Sequence, residues 1–264
     1  MEVNPIISVI VPVLNEEKYL EPTLQAIKNQ NTNVPYELIV SDGGSCDSSL
    51  EIAEKYADKI LSCSEKGIGI GRHTGAINAR KSSKYFVFID SDTIIPSYYL
   101  AWAHYIFNSK KALIAFSAAF EFSEKNPSIG CADIKEARQR RVRVKFAERV
   151  ANQYLLMRGL FHKATLPGFN TCVRKDAYFK AGGYRNVLLE DVDFSRRIQK
   201  LGKTRYFPEV TVINSARRLK GMGLIGTIYY YAQLDVGRMV DSTMIDKLSK
   251  KLGIADGREY IGIR

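Results

Sequence analysis

Residues 6–13 read Ile-Ile-Ser-Val-Ile-Val-Pro-Val, and Asn15, Glu16 and Glu17 follow after a single leucine. A β-branched run of this length, stopped by polar residues, predicts a strand buried on both faces of a parallel sheet. Leu20, Leu24 and Ile27 then recur at helical spacing, so a helix starts just after the strand. The pattern repeats along the chain. Residues 36–40 (YELIV) predict a second strand and 45–57 a helix. Residues 59–62 predict a short third strand, followed by the glycine-rich stretch 66–71 and a helix near 74–80, and 85–89 (YFVFI) a fourth strand. Strand–helix alternation of this kind implies right-handed βαβ units and an α/β, doubly wound sheet.

The second half is less regular. An aromatic-rich helix is expected over 96–108, a long strand over 112–122, and one or two basic helices over 133–160. Loop and strand should cover 166–174, a helix 190–201, short strands 203–215, and a helical tail should follow from about residue 224. No repeat, low-complexity segment or Pro/Gly/Ser linker divides the chain, which favours one continuous domain.

Composition narrows the class. The 264 residues are 45% hydrophobic and 25% charged, which excludes disordered, collagen-like and coiled-coil chains. Lys and Arg number 39 against 28 Asp and Glu, a net charge of +11 that points to nucleic acid, an anionic membrane or a phosphorylated substrate. Cys46, Cys63, Cys131 and Cys172 lie far apart, against a disulfide framework or zinc site, and His73, His104 and His162 are too scattered for a His-based metal cluster. The first residues are acidic rather than basic, and no apolar run reaches the roughly 18–20 residues a bilayer span needs. The expectation is a cytoplasmic protein, soluble or peripheral.

In a doubly wound sheet, ligands bind beyond the carboxyl ends of the strands. Asn15-Glu16-Glu17, Asp42-Gly43-Gly44-Ser45 and Asp90-Ser91-Asp92 all follow predicted strands and should share one rim. Asp90 and Asp92, two residues apart at a turn, could hold a hard divalent cation that also takes phosphate oxygens; a solvated acidic turn has the same sequence. In the second segment the glycines admit a ligand close to the backbone and Asp42 can accept from a base or ribose, while Ser45 or Asp47 would cap the next helix. Lys66-Gly67-Ile68-Gly69-Ile70-Gly71-Arg72 places two cations around three glycines ahead of a helix. That suits a diphosphate cradle and, equally, a flexible surface loop. Glu190, Asp191 and Asp193 open a predicted helix, where the macrodipole alone favours acids and where a general base could be delivered to a cleft.

Taken together these segments resemble the family 2 glycosyltransferases. The resemblance runs through SVIVPVLNEEKYL, IVSDGGSCD, KGIGIGR, FVFIDSDT, LPGFNTCVRKDAYFKAGGY and LLEDVDFSRRIQKLG, six motifs in the family's order from about residue 7 to 215. It implies a GT-A fold: a Rossmann-like doubly wound mixed sheet over 1–215, with a nucleotide-sugar half to about residue 95, an acceptor half from 96, and a helical C-terminal extension over 216–264. It further implies that Pro12, Asn15 and Glu16 border the nucleotide pocket and that Asp42 contacts the base. Lys66 and Arg72 would lie near the diphosphate, Asp90 and Ser91 against the donor, and Asp90 and Asp92 around a divalent metal, Mn or Mg. Asp191, with Glu190 beside it, resembles the catalytic base, and Phe169 and Asn170 match the acceptor side.

Two departures stand out. Arg72-His73-Thr74-Gly75 replaces the family's Arg-Asn-x-Gly, and the Gln-x-x-Arg-Trp motif of processive synthases is absent. Ser215-Ala216-Arg217-Arg218 occupies that late region, where Arg217 or Arg218 could reach the diphosphate. The implied activity is a single, inverting transfer from a nucleotide sugar to an acceptor hydroxyl or lipid phosphate on a glycan or lipid-linked acceptor. A sugar nucleotidyltransferase is the alternative. A nucleic-acid-binding protein is disfavoured because carboxylates on the rim would repel a phosphate backbone.

Much of the positive charge falls in residues 135–150 (KEARQRRVRVKFAERV), where Arg138, Arg141, Lys145 and Arg149 share one helical stripe beside Val142, Phe146 and Val150. That pattern suits a helix on an anionic membrane surface, or a solvated basic face beside a core stripe.

Overall fold

The computed structural model describes residues 4–123, 145, 148–157, 164–187 and 189–215. Most of the basic stretch 135–150, together with Arg217, Arg218 and the expected C-terminal helices, lies outside the described residues.

One eight-stranded sheet organises the chain, in the order β3-β2-β1-β4-β7-β6-β8-β5. β1 (Ile7–Val13) lies at its buried centre-left, parallel to β2 (Tyr36–Asp42) and β4 (Tyr85–Ile89), and β3 (Lys59–Ser62) adds in parallel to β2. All seven residues of β1 are buried, as a β-branched run without alternation requires. Beyond β4 the sheet turns mixed. β7 (Asn170–Arg174) runs antiparallel to both β4 and β6 (Leu113–Ser123), β8 (Lys203–Ser215) runs parallel to β6, and β5 (Thr93–Ile94) closes the edge.

Helices cover both faces. α1 (Leu20–Lys28), α4 (Tyr99–Ser109) and a segment over 148–157, α5, pack with Val9, Val11, Leu38 and Val40 on one face, where α2 (Ser49–Glu54) adds Ile52 and Ala53. α3 (Ile68–Ile77), α6 (Lys175–Lys180) and α7 (Glu190–Ile198) cover the other, over Ile10, Ile39, Phe86 and Phe88. The period of two along β1 and β2 decides which residue serves which core.

Three expectations need correction. α3 begins at Ile68, inside the glycine-rich run, not near residue 74. Glycine disfavours helix, but here close packing wins: a Cβ on Gly71 would lie 2.9 Å from Pro12 Cβ, and one on Gly75 2.9 Å from Ser41 Oγ. These glycines let α3 lie directly on β1 and β2 rather than forming a loop. Residues 203–215 form one 13-residue strand instead of several short ones. Its register against β6 jumps from Ala118↔Phe207 to Ala119↔Thr211, the interruption falling at Pro208, which has no N–H to give the ladder. The second helix is also shorter than expected, because 45–48 are spent on the loop described next.

Candidate active site

The carboxyl ends of β1, β2 and β4 open on one rim. The antiparallel β7 reaches it from the other direction, because Ile89 pairs with Asn170. Residues just before β7 therefore stand beside Asp90.

The loops after β1 and β2 are laced together. Asn15 N–H donates to Ser45 Oγ (2.9 Å), and Cys46 N–H donates to Asn15 Oδ1 (2.8 Å). Glu16 N–H donates to Ser49 Oγ (2.7 Å) and Glu17 N–H to Asp47 Oδ2 (3.0 Å). Asn15 takes a left-handed backbone (φ 54°), which asparagine tolerates better than most residues. Asp42 folds its own loop: its carboxylate accepts Gly44 N–H at 3.0 Å, Ser45 N–H at 3.1 Å and the Ser45 hydroxyl at 2.5 Å. Asp47 Oδ1 accepts Ser49 N–H at 3.0 Å from one residue ahead of the N-cap, which is Ser48 rather than Ser45 or Asp47.

Asp90, Ser91 and Asp92 are each buried on the turn after β4. Thr23 Oγ1 of α1 donates to Ser91 O (3.0 Å) and Ser215 N–H to Asp92 O (3.2 Å), which fix the turn from both sides. Arg72, only 1% exposed, sits at the centre of the site. Its Nη2 donates to Asp90 Oδ1 at 2.6 Å and its Nη1 to Glu190 Oε1 at 2.5 Å, so one guanidinium joins the D-x-D turn to the Glu-Asp pair. Burial alone would lower its pKa, but Asp90 and then Glu190 outweigh that and hold it cationic. The Tyr184 ring packs 5.2 Å from the guanidinium carbon. Gly168 covers the same group so closely that an added Cβ would stand 2.5 Å from Arg72 Cζ.

Asp191 lies in the first turn of α7, recessed beside Glu190. Val192 N–H donates to its Oδ1 at 2.8 Å, and Gly168 N–H also bonds the carboxylate. Ser195 Oγ donates to Asp191 O (2.6 Å) and accepts Leu166 N–H (2.9 Å), so the strand-leading segment 166–168 is tied to the helix that carries the acid. Burial, and then the charge of Glu190, push the Asp191 carboxyl up to about 7, against the opposing pull of Arg72. Leu189, just ahead, holds φ 56°, an outlier for a branched residue and of a kind that clusters at functional sites.

The model of the family described as "Glycosyl transferase family 2" matches residues 8–164. The chain belongs to glycosyl transferase family 2. Relatives include the minor teichoic acid biosynthesis protein GgaA of Bacillus subtilis, 34% identical over 93 residues (32% of this chain, 21% of that protein), and the putative glycosyltransferase EpsH of the same organism, 30% identical over 141 residues (52% and 40%). The chain thus spans less than half the length of either. Among solved structures, Staphylococcus aureus TarS 1–349 in complex with UDP-GlcNAc aligns with a TM-score of 0.60 at 17% identity, covering 79% of this chain and 58% of that one. A mannosyltransferase of Pyrobaculum calidifontis in complex with GDP-Man and Mn2+ gives 0.57 at 17% identity, covering 88% and 65%. These likenesses establish a GT-A fold. The family match stops at residue 164, short of Glu190 and Asp191, whose reading rests on the geometry above.

Among the described residues no group of three or more His, Cys, Asp or Glu side chains could cage a metal. Asp90 and Asp92 are two hard carboxylates, and Arg72 engages only Oδ1 of Asp90. Such a donor set fits a cation that draws its other ligands from water and substrate phosphates, the common arrangement for Mg²⁺.

Other predicted residues divide. Pro12 is buried under α3, and Lys66 is exposed beside it. Phe169 packs edge-to-face on Phe120 (5.1 Å), while Asn170 is fully buried and spends its amide on Ala118, accepting its N–H and donating to its carbonyl, both at 3.0 Å. The Asn170 amide thus joins β7 to β6. His73 turns away from the rim, bonded to the Tyr178 hydroxyl (3.1 Å), and burial followed by the charge of Arg197 lowers its pKa. Gly168 and Tyr184 were not singled out from the sequence, although both stand inside quoted motifs. Their only signal was that position.

Proposed function

We propose that this chain transfers a sugar from a nucleoside-diphosphate donor to an acceptor hydroxyl with inversion at the anomeric carbon, Asp191 acting as base. The observation that carries this reading is the Asp90–Arg72–Glu190 bridge, which holds the donor-side turn and the Asp191 carboxylate in one rigid unit. The rim lies where ligands bind in open α/β sheets. Complexes of fold relatives with UDP-GlcNAc and with GDP-Man support a nucleotide-sugar donor and leave the base and the sugar open.

The acceptor oxygen attacks the anomeric carbon on the face opposite the diphosphate. Its proton passes to Asp191, the new C–O bond forms, and the bond to the diphosphate breaks with the electron pair leaving on phosphate oxygen. A carboxylate whose pKa is raised toward neutrality is a stronger base than an ordinary one, and with its carboxyl pushed up to about 7 it becomes ionised as pH rises through neutrality. Asp90 and Asp92 would hold a divalent cation, which when bound supplies charge neutralisation on the leaving group. Arg72 cannot be displaced cheaply, since Asp90 would be left buried and Glu190 largely buried without their cation. Its part is to keep Asp90 and Glu190 in place, with exposed Lys66 the cation nearer to solvent.

A thermal-shift series tests the donor reading. UDP or GDP should raise the melting temperature when Mn²⁺ or Mg²⁺ is present, and Asp92→Ala should abolish the shift. The absence of a metal-dependent shift with any nucleotide would reject it.

A further inference from the structure

We propose that the end of the sheet opposite the candidate active site is a docking surface for an anionic lipid bilayer. At that end β3 and β8 begin with Lys59 and Lys203, Lys84 leads into β4, Lys110 and Lys111 lead into β6, and Lys200 follows α7. Strand register gathers them: Leu113 pairs with Lys203, and Tyr85 with Arg174. The connections between these points are short. Lys59 Nζ donates to Asn78 O (2.7 Å), Lys175 Nζ to Arg80 O (2.9 Å), and Lys175 N–H to Lys84 O (2.9 Å). His104 stands between Lys84 and Lys111, whose charges add to burial in lowering its pKa.

Glu54, at the end of α2, is an exposed acid at this end; the other acids near it are answered. Glu37 is buried and accepts from Ser8 (2.7 Å) and from Arg80 N–H (2.8 Å), Asp58 pairs with Lys28 (2.9 Å), and Asp176 with Lys180 (3.7 Å). Lys84, Lys110, Lys111, Lys200 and Lys203 are exposed and have no carboxylate partner among the described residues. Cations at helix C-termini are ordinary, which accounts for Lys110 and Lys200. It does not account for Lys59, Lys84 and Lys203, which lie at strand starts.

Exposed apolar side chains distinguish a bilayer from a nucleic acid or a soluble polyanion. Leu201 (46% exposed) stands between Lys200 and Lys203, Ile77 (57%) just before Arg80, and Phe179 (42%) against the Phe86 ring that Lys175 overlies. Lysines around isolated apolar side chains are what an interfacial surface needs, combining apolar insertion with attraction to anionic headgroups. Strands of about seven residues put the acidic rim roughly 20 Å away. Docked this way, the rim faces off the membrane, toward an acceptor that projects from it.

The test is co-sedimentation of the full chain with vesicles of phosphatidylcholine alone or with one part in three phosphatidylglycerol, at low and high salt. The native chain should partition onto the anionic vesicles only, and less at high salt. The combined variant Lys84→Gln, Lys111→Gln, Lys200→Gln, Lys203→Gln should weaken that by more than about 100-fold, at about fivefold per lysine, with its melting temperature unchanged. If the combination fails to fold, the four single variants carry the same test at about fivefold each. Native-like partitioning of the folded variants would overturn the proposal, as would a native chain that binds duplex DNA or heparin and not anionic vesicles. Neither result bears on the chemistry at the rim.

Discussion

At the carboxyl ends of the strands Asp90 is 5% exposed and bonded to a guanidinium that is itself buried, whereas at the amino ends Lys84 and Lys111 stand in solvent. The same sheet therefore carries opposite charge at its two ends and holds it by opposite means. Buried charge costs several kcal/mol per ion unless its partners are fixed, so the acidic end is rigid and intolerant of change. Exposed charge is cheap and screened, so the basic end acts through its sum. The contrast teaches that single substitutions should be severe at one end and nearly silent at the other.

The largest effect should follow Arg72→Met, which leaves buried Asp90 and largely buried Glu190 without their cation. Urea denaturation should show a loss of about 3–5 kcal/mol. Adding Asp90→Asn and Glu190→Gln should recover much of that stability but no transfer. A triple variant no more stable than Arg72→Met would break the account of the bridge.

Asp191→Asn comes next, with transfer reduced by about 10²–10⁴ and donor binding kept. Its stability effect has a definite sign. The folded-state pKa of Asp191, raised to about 7, lies above the unfolded value, so the folded protein holds an extra proton between them and loses stability as pH rises through that window. The Asn variant lacks this slope. It should melt above the native chain at alkaline pH, and the gap should close below about pH 4, where Asp191 of the native chain is protonated both folded and unfolded. An unchanged gap across the range would show that burial does not act on this carboxyl.

Gly168→Ala should cost about 1–3 kcal/mol, because the methyl meets the Arg72 guanidinium rather than space. Ser45→Ala, which removes one donor and one acceptor from the laced loops, should cost about 1 kcal/mol. At the opposite end Lys203→Gln should move stability by less than about 0.5 kcal/mol. A large effect there would blur the distinction between the two ends.

How far each end could be read from sequence follows from how its signals are spaced. β1, β2 and β4 were legible because continuous β-branched and aromatic runs have few alternatives, and the polar residues at their ends then fell on one rim. α3 was misread because glycine's local preference argues for a loop, while its packing on Pro12 and Ser41 is visible only in three dimensions. The Arg72–Glu190 contact joins residues 118 apart, beyond any local pattern. The positive charge was sought in dense runs at 135–150 and after 215, mostly outside the described residues. The lysines at the strand starts are scattered between 59 and 203, and only the sheet brings them together.

We propose that the acidic rim transfers sugar from a nucleotide donor with Asp191 as base. The most direct measurement is the release of nucleoside diphosphate from a panel of nucleotide sugars, with a mixed glycan and lipid acceptor fraction, across pH for the native chain and Asp191→Asn. One donor should be turned over by the native chain with an acid limb near pH 7, and Asp191→Asn should bind that donor yet release about 10²–10⁴ less. Release by Asp191→Asn at the native rate, with the same pH profile, would contradict the claim.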